Sequence, residues 1–270
     1  MLIDSFGRII SYLRVSVTDR CNFRCTYCMP PEGVMLKPHD EILSYEEIAR
    51  IVEIGASLGI SKIKLTGGEP LVRPDLEQLV EMLARIPDID DLGMTTNGSL
   101  LTRGKALRLK AAGLMRVNIS LDTIAPEKFT ELTQGHDIAD VIRGIDAARL
   151  AGFAPVKINM VVFETTLQEE IKRMEEFCDA RGLLLQTIAR FNLHDRNNTC
   201  TGLSTHRPPH CNACNRLRLT ADGHLLSCLF SDSKERVDLN DIHGSFYNAV
   251  AAKPQHGTAN KNLTMSQIGG

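Results

Sequence analysis

Short apolar or alternating runs recur along the first two-thirds of the chain. Between them lie stretches in which apolar positions return every three to four residues. The runs predict strands over 10–17, 62–65, 92–96, 116–121, 156–162 and 183–188, several of them rich in Ile and Val. The longer periodicity predicts helices over 45–58, 75–85, 103–112, 139–151 and 167–181. Ser44, with Glu47 three residues on, reads as a capping box for the first helix, and Gly182 reads as the stop of the last. Six strand–helix alternations predict a parallel sheet. Eight would close a full barrel, so the expected fold is α/β, a partial (β/α)6 barrel of TIM type. Chemistry in such folds sits in the loops that leave the C-terminal ends of the strands.

Beyond residue 190 the pattern changes. Residues 191–209 are polar and rich in His, Asn, Asp and Pro, which predicts a loop or linker. Alternating runs at 216–220 and 224–230 flank Ala221-Asp222-Gly223, a strong hairpin signal. One helix is expected within 237–253, and the end from His256 onward reads as mobile. The expected division is therefore a barrel over 1–190 and a C-terminal module over 191–270.

Composition sharpens this picture in two respects. Lys and Arg number 31 against 33 Asp and Glu, a formal charge of −2, so no global charge favours nucleic acid or an anionic membrane. Any anion site must come from local clusters. No apolar run approaches the roughly 18 residues of a bilayer span, and Asp4, Arg8 and Arg14 interrupt any export signal, so the expected location is cytoplasmic. The chain has eight cysteines, six of them in two tight groups. Without export, such groups point to metal ligation rather than disulfides.

Cys21, Cys25 and Cys28 follow the first strand as C-x3-C-x2-C. Zinc takes four ligands and no fourth Cys or His lies nearby in sequence. Three ligands suit a [4Fe–4S] cluster with one iron open. A zinc site and plain core cysteines are the alternatives. Cys211, Cys214 and Cys228 form the second group, and the hairpin brings Cys228 opposite the residues just after Cys214. Here His210 or Cys200 could complete a zinc site. Cys178 shares helical spacing with Ile171 and Met174 and reads as a core thiol.

Thr66-Gly67-Gly68-Glu69-Pro70 follows the second strand, either as a plain turn or as a place where backbone approaches a ligand. Ser120 and Asp122 share one face at the end of the fourth strand, and a hydroxyl capping the next loop is the simpler reading of Ser120. On a strand, Arg216 and Arg218 share one face while Leu217 and Leu219 turn to the core. Two guanidinium forks on one face suit a polyphosphate. Arg14, Lys64 and Lys157 also lie on strands. For each of them alone, a solvated surface charge is the simpler reading.

The first cysteine motif, with Tyr27 as the aromatic before its last Cys, resembles the radical S-adenosylmethionine (SAM) enzymes. The resemblance implies that the open iron holds the amino and carboxylate groups of SAM. The reduced cluster then cleaves SAM to methionine and a 5′-deoxyadenosyl radical. It also implies that Tyr27, Gly67, Gly68, Glu69 and Ser120 contact SAM. The string Cys214-Asn-Arg-Leu-Arg-Leu-Thr-Ala-Asp-Gly223, the opening residues around Arg8 and Arg14, and the final Gly269-Gly270 resemble the GTP 3′,8-cyclase family of molybdenum cofactor biosynthesis, over nearly the whole chain.

That resemblance implies a second [4Fe–4S] cluster on Cys211, Cys214 and Cys228, whose open iron holds the guanine of GTP. It implies GTP contacts from Arg14, Lys64, Thr95, Lys157, Arg216, Leu217 and Arg218. Arg14, Arg216, Arg218, Gly269 and Gly270 are implied as catalytic, the glycine tail inserting into the site. The radical would take the ribose 3′ hydrogen, and the resulting carbon radical would attack C8 of guanine. The product would be 3′,8-cyclo-7,8-dihydro-GTP, in the first step towards molybdopterin. The implied partners are a reductant such as a flavodoxin or ferredoxin, a downstream cyclic pyranopterin synthase, and a second copy of the chain. The sequence departs from the family at Lys64, where Arg is usual. The stretch before Cys211 is shorter by some tens of residues, and Arg190-Phe191-Asn192 stands where a methionine is expected. A radical enzyme for another substrate such as a peptide, with the second cluster auxiliary, and a non-catalytic iron–sulfur or zinc protein remain as alternatives.

Overall fold

The computed structural model describes residues 1–29, 32–191, 193–194, 211–261 and 263–268. Two short strands, β1 (Leu2–Ile3) and β2 (Ile9–Ile10), pair as an antiparallel ribbon. Six parallel strands follow: β3 (Tyr12–Ser16), β4 (Lys62–Thr66), β5 (Asp91–Thr96), β6 (Arg116–Ser120), β7 (Lys157–Val162) and β8 (Leu184–Ala189). They lie side by side in sequence order, as successive strand–helix–strand units require.

Alternation along each strand builds two environments. Leu13, Val15, Ile63, Leu65, Leu92, Met94, Val117, Ile119 and Ile158 are fully buried on the outer face. That face is covered by α1 (Tyr45–Ser57), α2 (Leu76–Ala84), α3 (Arg103–Ala111), α4 (Pro126–Thr133), α5 (Ile138–Leu150) and α6 (Gln168–Asp179). Each such side chain contributes about 1.5–3 kcal/mol by leaving water. The alternate positions, Arg14, Lys64, Thr95, Asn118 and Asn159, are polar and line the inside of the curved sheet. The capping box forms as expected: Ser44 Oγ accepts from Glu47 N at 3.1 Å, and Glu47 Oε2 accepts from Ser44 N at 2.7 Å. Helix α4 was not expected. Only Phe129 and Thr133 of it are buried, so its apolar signal is weak.

The hairpin of β9 (Arg216–Leu219) and β10 (His224–Leu226) forms around Asp222-Gly223, with a third strand, β11 (Lys234–Arg236), beside it. β9 also pairs in parallel with β3, Tyr12 opposite Arg216 and Arg14 opposite Arg218. The hairpin therefore continues the barrel sheet, which has nine strands among the described residues. Helix α7 (Ile242–Ala251) is the one expected in that region.

The end that read as mobile is packed as far as it is described. A short helix, α8 (Met265–Ile268), buries Ile268 beside Leu193, Leu226 and Phe230. Backbone bonds from Thr258 N to Phe230 O (2.9 Å) and from Asn260 N to Leu193 O (2.7 Å) hold the segment before it. Among the described residues no helix is long and apolar enough to cross a membrane.

Candidate active site

Cys21, Cys25 and Cys28 leave the C-terminal end of β3, and Gly67–Pro70 leaves β4 beside them. The two loops are bonded together. Gly68 N donates to Thr18 O and Glu69 N to Arg20 O, both at 2.8 Å. Only glycine permits this approach, because a Cβ on Gly67 would stand 2.5 Å from Thr18 O and one on Gly68 2.3 Å from Arg20 O. Glu69 is buried and its carboxylate is fully engaged. It accepts from Leu71 N at 2.9 Å, Thr96 Oγ1 at 2.7 Å and Asn97 N at 2.6 Å. Glu69 thus ties the loops after β4 and β5 together. Tyr27 Oη donates to Asp122 Oδ2 at 2.6 Å, and Asp122 Oδ1 accepts from Val161 N at 2.8 Å. Burial raises the carboxyl of Asp122 to about 6.

The three cysteines open onto a cavity of about 190 Å³ that is also walled by Tyr27, Gly67, Gly68, Glu69, Ser120, Arg14, Thr95, Arg218 and Phe191. Burial pushes Cys21 up to about 11 and Cys28 up to about 12, and it raises Cys25 as well. The negative charge of neighbouring thiolates adds to the rise at Cys25 and Cys28. Three sheltered thiols that resist ionisation together are what a polynuclear cation relieves, so the donor set fits an iron–sulfur cluster. Among the described residues no three Cys, His, Asp or Glu side chains converge as a single ion demands. A cubane, with each thiolate on its own iron, sets its ligands further apart.

The second group forms at the opposite end of the barrel. Cys211 and Cys214 precede β9, and β9 runs parallel to β3, so they lie at the N-terminal floor of the sheet. The β10 register, with Leu226 opposite Arg218, carries the returning strand back towards them and brings Cys228 to the same end. The rule of C-terminal strand ends thus holds for the first group and fails for the second, because β9 is entered, not left, at the cysteine pair.

Arg8 braces this floor. Its guanidinium donates to Cys211 O at 2.5 Å, Pro254 O at 2.7 Å and Gln255 O at 3.1 Å, and it pairs with Asp4 at 2.5 Å. Lys253 is buried and donates to Arg216 O at 2.7 Å and Ser227 O at 2.6 Å. Burial raises the Cys214 thiol, but the Lys253 charge and the backbone and charge of Arg216 outweigh it, and the net shift is downward. Cys228 is raised, first by burial.

Between the two ends lies a cavity of about 520 Å³ lined by Arg14, Lys64, Thr95, Lys157 and Arg216, and also by Lys62, Arg116, Asn118 and Asn159. Arg14, Thr95 and Asn159 line the thiol cavity too, so the two spaces adjoin. Lys64 Nζ donates to Asn118 Oδ1 at 2.9 Å. Burial, then Arg116 and Arg14, drive its pKa well below the usual lysine range. Arg216 Nε is buried with no hydrogen-bond partner among the described residues, a donor suited to an anion. Asp91 pairs with Lys62 at 2.6 Å and with Arg116 Nε at 2.8 Å. Leu217 turns its side chain to the outer core with no exposure, so only its backbone is near the lumen. Gly269, Gly270, Cys200, His210 and Asn192 lie outside the described residues. Sequence reading overlooked Asn118 and Asn159, although their even spacing from Ser120 and Lys157 marks them as facing the lumen.

The profile of the radical SAM superfamily matches residues 15–178, and that of Molybdenum Cofactor Synthesis C matches residues 155–264. The chain belongs to the radical SAM superfamily, whose members use SAM and a [4Fe–4S] cluster. Within it the chain falls among the GTP 3′,8-cyclases. It is 38% identical to the GTP 3′,8-cyclase of Petrotoga mobilis over all of both chains. It is 42% identical to that of Thermodesulfovibrio yellowstonii over 88% of this chain and 87% of the relative. The Petrotoga alignment spans 324 positions although this chain has 270 residues, so the relative carries some tens of residues without a counterpart here. In fold, the chain is similar to Streptococcus suis SuiB bound to S-adenosylmethionine (TM-score 0.68, 15% identity, 90% of this chain, 68% of that one). It is also similar to native anSMEcpe with bound AdoMet (TM-score 0.63, 14% identity, 87% and 80%).

Proposed function

We propose that this enzyme is a GTP 3′,8-cyclase with two [4Fe–4S] clusters, converting GTP to 3′,8-cyclo-7,8-dihydro-GTP. The observation that carries this reading is a pair of adjoining cavities: a three-thiol pocket, and beside it a cation-lined space that reaches Asn215 and Arg216, the residues directly after the second cysteine pair. When bound, the first cluster and SAM supply a hydrogen-abstracting radical, with methionine and 5′-deoxyadenosine as co-products.

In this reading residues 1–190 serve SAM and residues 191–270 close the floor. Cys21, Cys25 and Cys28 hold the first cluster; Cys211, Cys214 and Cys228 hold the second. Tyr27, Gly67, Gly68 and Ser120 surround SAM, and Glu69 fixes the loops around it. Arg14, Lys64, Lys157, Arg216 and Arg218 neutralise the triphosphate, with Thr95 and the Leu217 backbone beside them. Holding both reactants at a fixed separation is the protein's contribution to rate. Arg14, Arg216, Arg218 and the terminal Gly269-Gly270 are the residues assigned to catalysis. An electron comes from a reductant of flavodoxin or ferredoxin type, the product passes to a cyclic pyranopterin synthase, and the setting is the cytoplasm, with two copies of the chain assembling.

Anaerobic turnover with SAM, GTP and a chemical reductant tests this. Cyclised GTP and 5′-deoxyadenosine are expected together. Formation of 5′-deoxyadenosine without cyclised GTP would reject the substrate.

A further inference from the structure

Asn159 lines both the thiol cavity and the cationic cavity. Its register partners are Ser120 on β6 and Gln186 on β8, and it stands two residues after Lys157 on β7. Its side chain therefore enters the lumen where the two spaces meet. It is also the end of a hydrogen-bonded row. Lys64 Nζ donates to Asn118 Oδ1 at 2.9 Å, and Asn118 Nδ2 donates to Asn159 Oδ1 at 3.2 Å. Gly93 makes room for the start of the row, since a Cβ there would stand 2.7 Å from Lys64 Nζ.

Such a row has one direction. With a polyanion in the lumen Lys64 carries its proton, and an ammonium only donates. Asn118 must meet it with oxygen and pass on an N–H. Asn159 must accept with its own oxygen, which turns its Nδ2 the other way. That nitrogen has no partner among the described residues. The residue is only 6% exposed, so its free N–H groups look into the cavity rather than into bulk water.

We propose that Asn159 is a substrate-positioning residue, its amide donating to a ribose hydroxyl of GTP, with the Lys64–Asn118 row fixing the amide's orientation. The inference rests on the GTP reading above. The guanidinium and ammonium groups of the lumen suit the phosphates. A neutral amide at the junction suits the neutral sugar, which must face the thiol mouth. A site that bonds a substrate hydroxyl rejects the analogue lacking it, because its own donor is then left buried and unpaired.

Calorimetry on the anaerobic, iron-loaded protein with GTP, 2′-deoxyGTP and 3′-deoxyGTP tests this. The wild type is expected to bind one deoxynucleotide about tenfold or more weakly than GTP. Asn159→Ala and Asn159→Leu should bring GTP down to that level, so that the ratio approaches one; deleting the hydroxyl and deleting the amide should not add. Leucine fills the space that alanine leaves, and a ratio within one preparation does not depend on how much of it is folded. A merely structural Asn159 would weaken all three nucleotides alike. The proposal is overturned if either variant keeps the wild-type ratio, or if the wild type binds all three equally. A wild type that binds none of them overturns the GTP reading instead.

Discussion

A β-carbon on Gly257 would stand 2.7 Å from the Cys228 sulfur and 2.8 Å from Cβ of Phe230. Phe230 cannot yield, being 2% exposed and bonded through its carbonyl to Thr258 N. The sulfur has to move. In the two-cluster enzyme proposed above, Gly257→Ala is therefore expected to cost the floor its cluster, halving iron from about eight to about four per chain by the stoichiometry of two cubanes. Iron analysis with electron paramagnetic resonance checks this, and an unchanged count would refute it.

Gly93→Ala should act at a distance from any metal. The new methyl displaces the Lys64 ammonium, the far end of a flexible side chain, so the fold should persist. GTP affinity is expected to fall by about tenfold, the order of one charge-assisted hydrogen bond. Calorimetry beside a thermal melt separates the two effects. A large drop in melting temperature with intact GTP affinity would contradict the assignment.

Glu69→Gln should destabilise the roof of the barrel. Three donors, Leu71 N, Thr96 Oγ1 and Asn97 N, converge on two carboxylate oxygens, and an amide offers only one acceptor. One buried donor is left unmatched, at a cost of about 1–3 kcal/mol. Urea denaturation measures it, and a midpoint equal to wild type would count against this role.

Acid stability should depend on Asp222. Its carboxyl is held well below the usual 3.8, chiefly by the His224 ring, with the Thr220 hydroxyl and Lys37 assisting. A depressed carboxylate contributes stability above its unfolded pKa and loses it as pH falls below. Asp222→Asn should lower stability near neutrality and flatten the further loss below pH 3.8. Denaturation curves run from neutral to acid pH would show parallel loss in both proteins if this pairing were inert.

The six parallel strands and five of the helices that cover them were legible because their outer faces bury regular apolar patterns, as at Leu13, Val15, Ile48 and Ile51. The hairpin and its turn were legible from local chemistry. The parallel pairing of β9 with β3 was not, since it joins segments some two hundred residues apart through contacts such as Arg8 to Cys211 and Asn215 to Ser11. For the same reason the position of the second trio at the floor escaped the local pattern. Asn118 and Asn159 were hidden differently. An asparagine on a strand carries no motif, and its meaning comes from the neighbouring strands that hold its partners.

The bracing of Cys211, Pro254 and Gln255 by Arg8 has a consequence for biogenesis. The roof loops belong to the first hundred residues and can be laid down early in translation. The floor needs the opening residues together with residues 211–255, and it cannot exist until those have left the ribosome. The two cysteine trios are thus completed at different stages of synthesis, the roof before the floor.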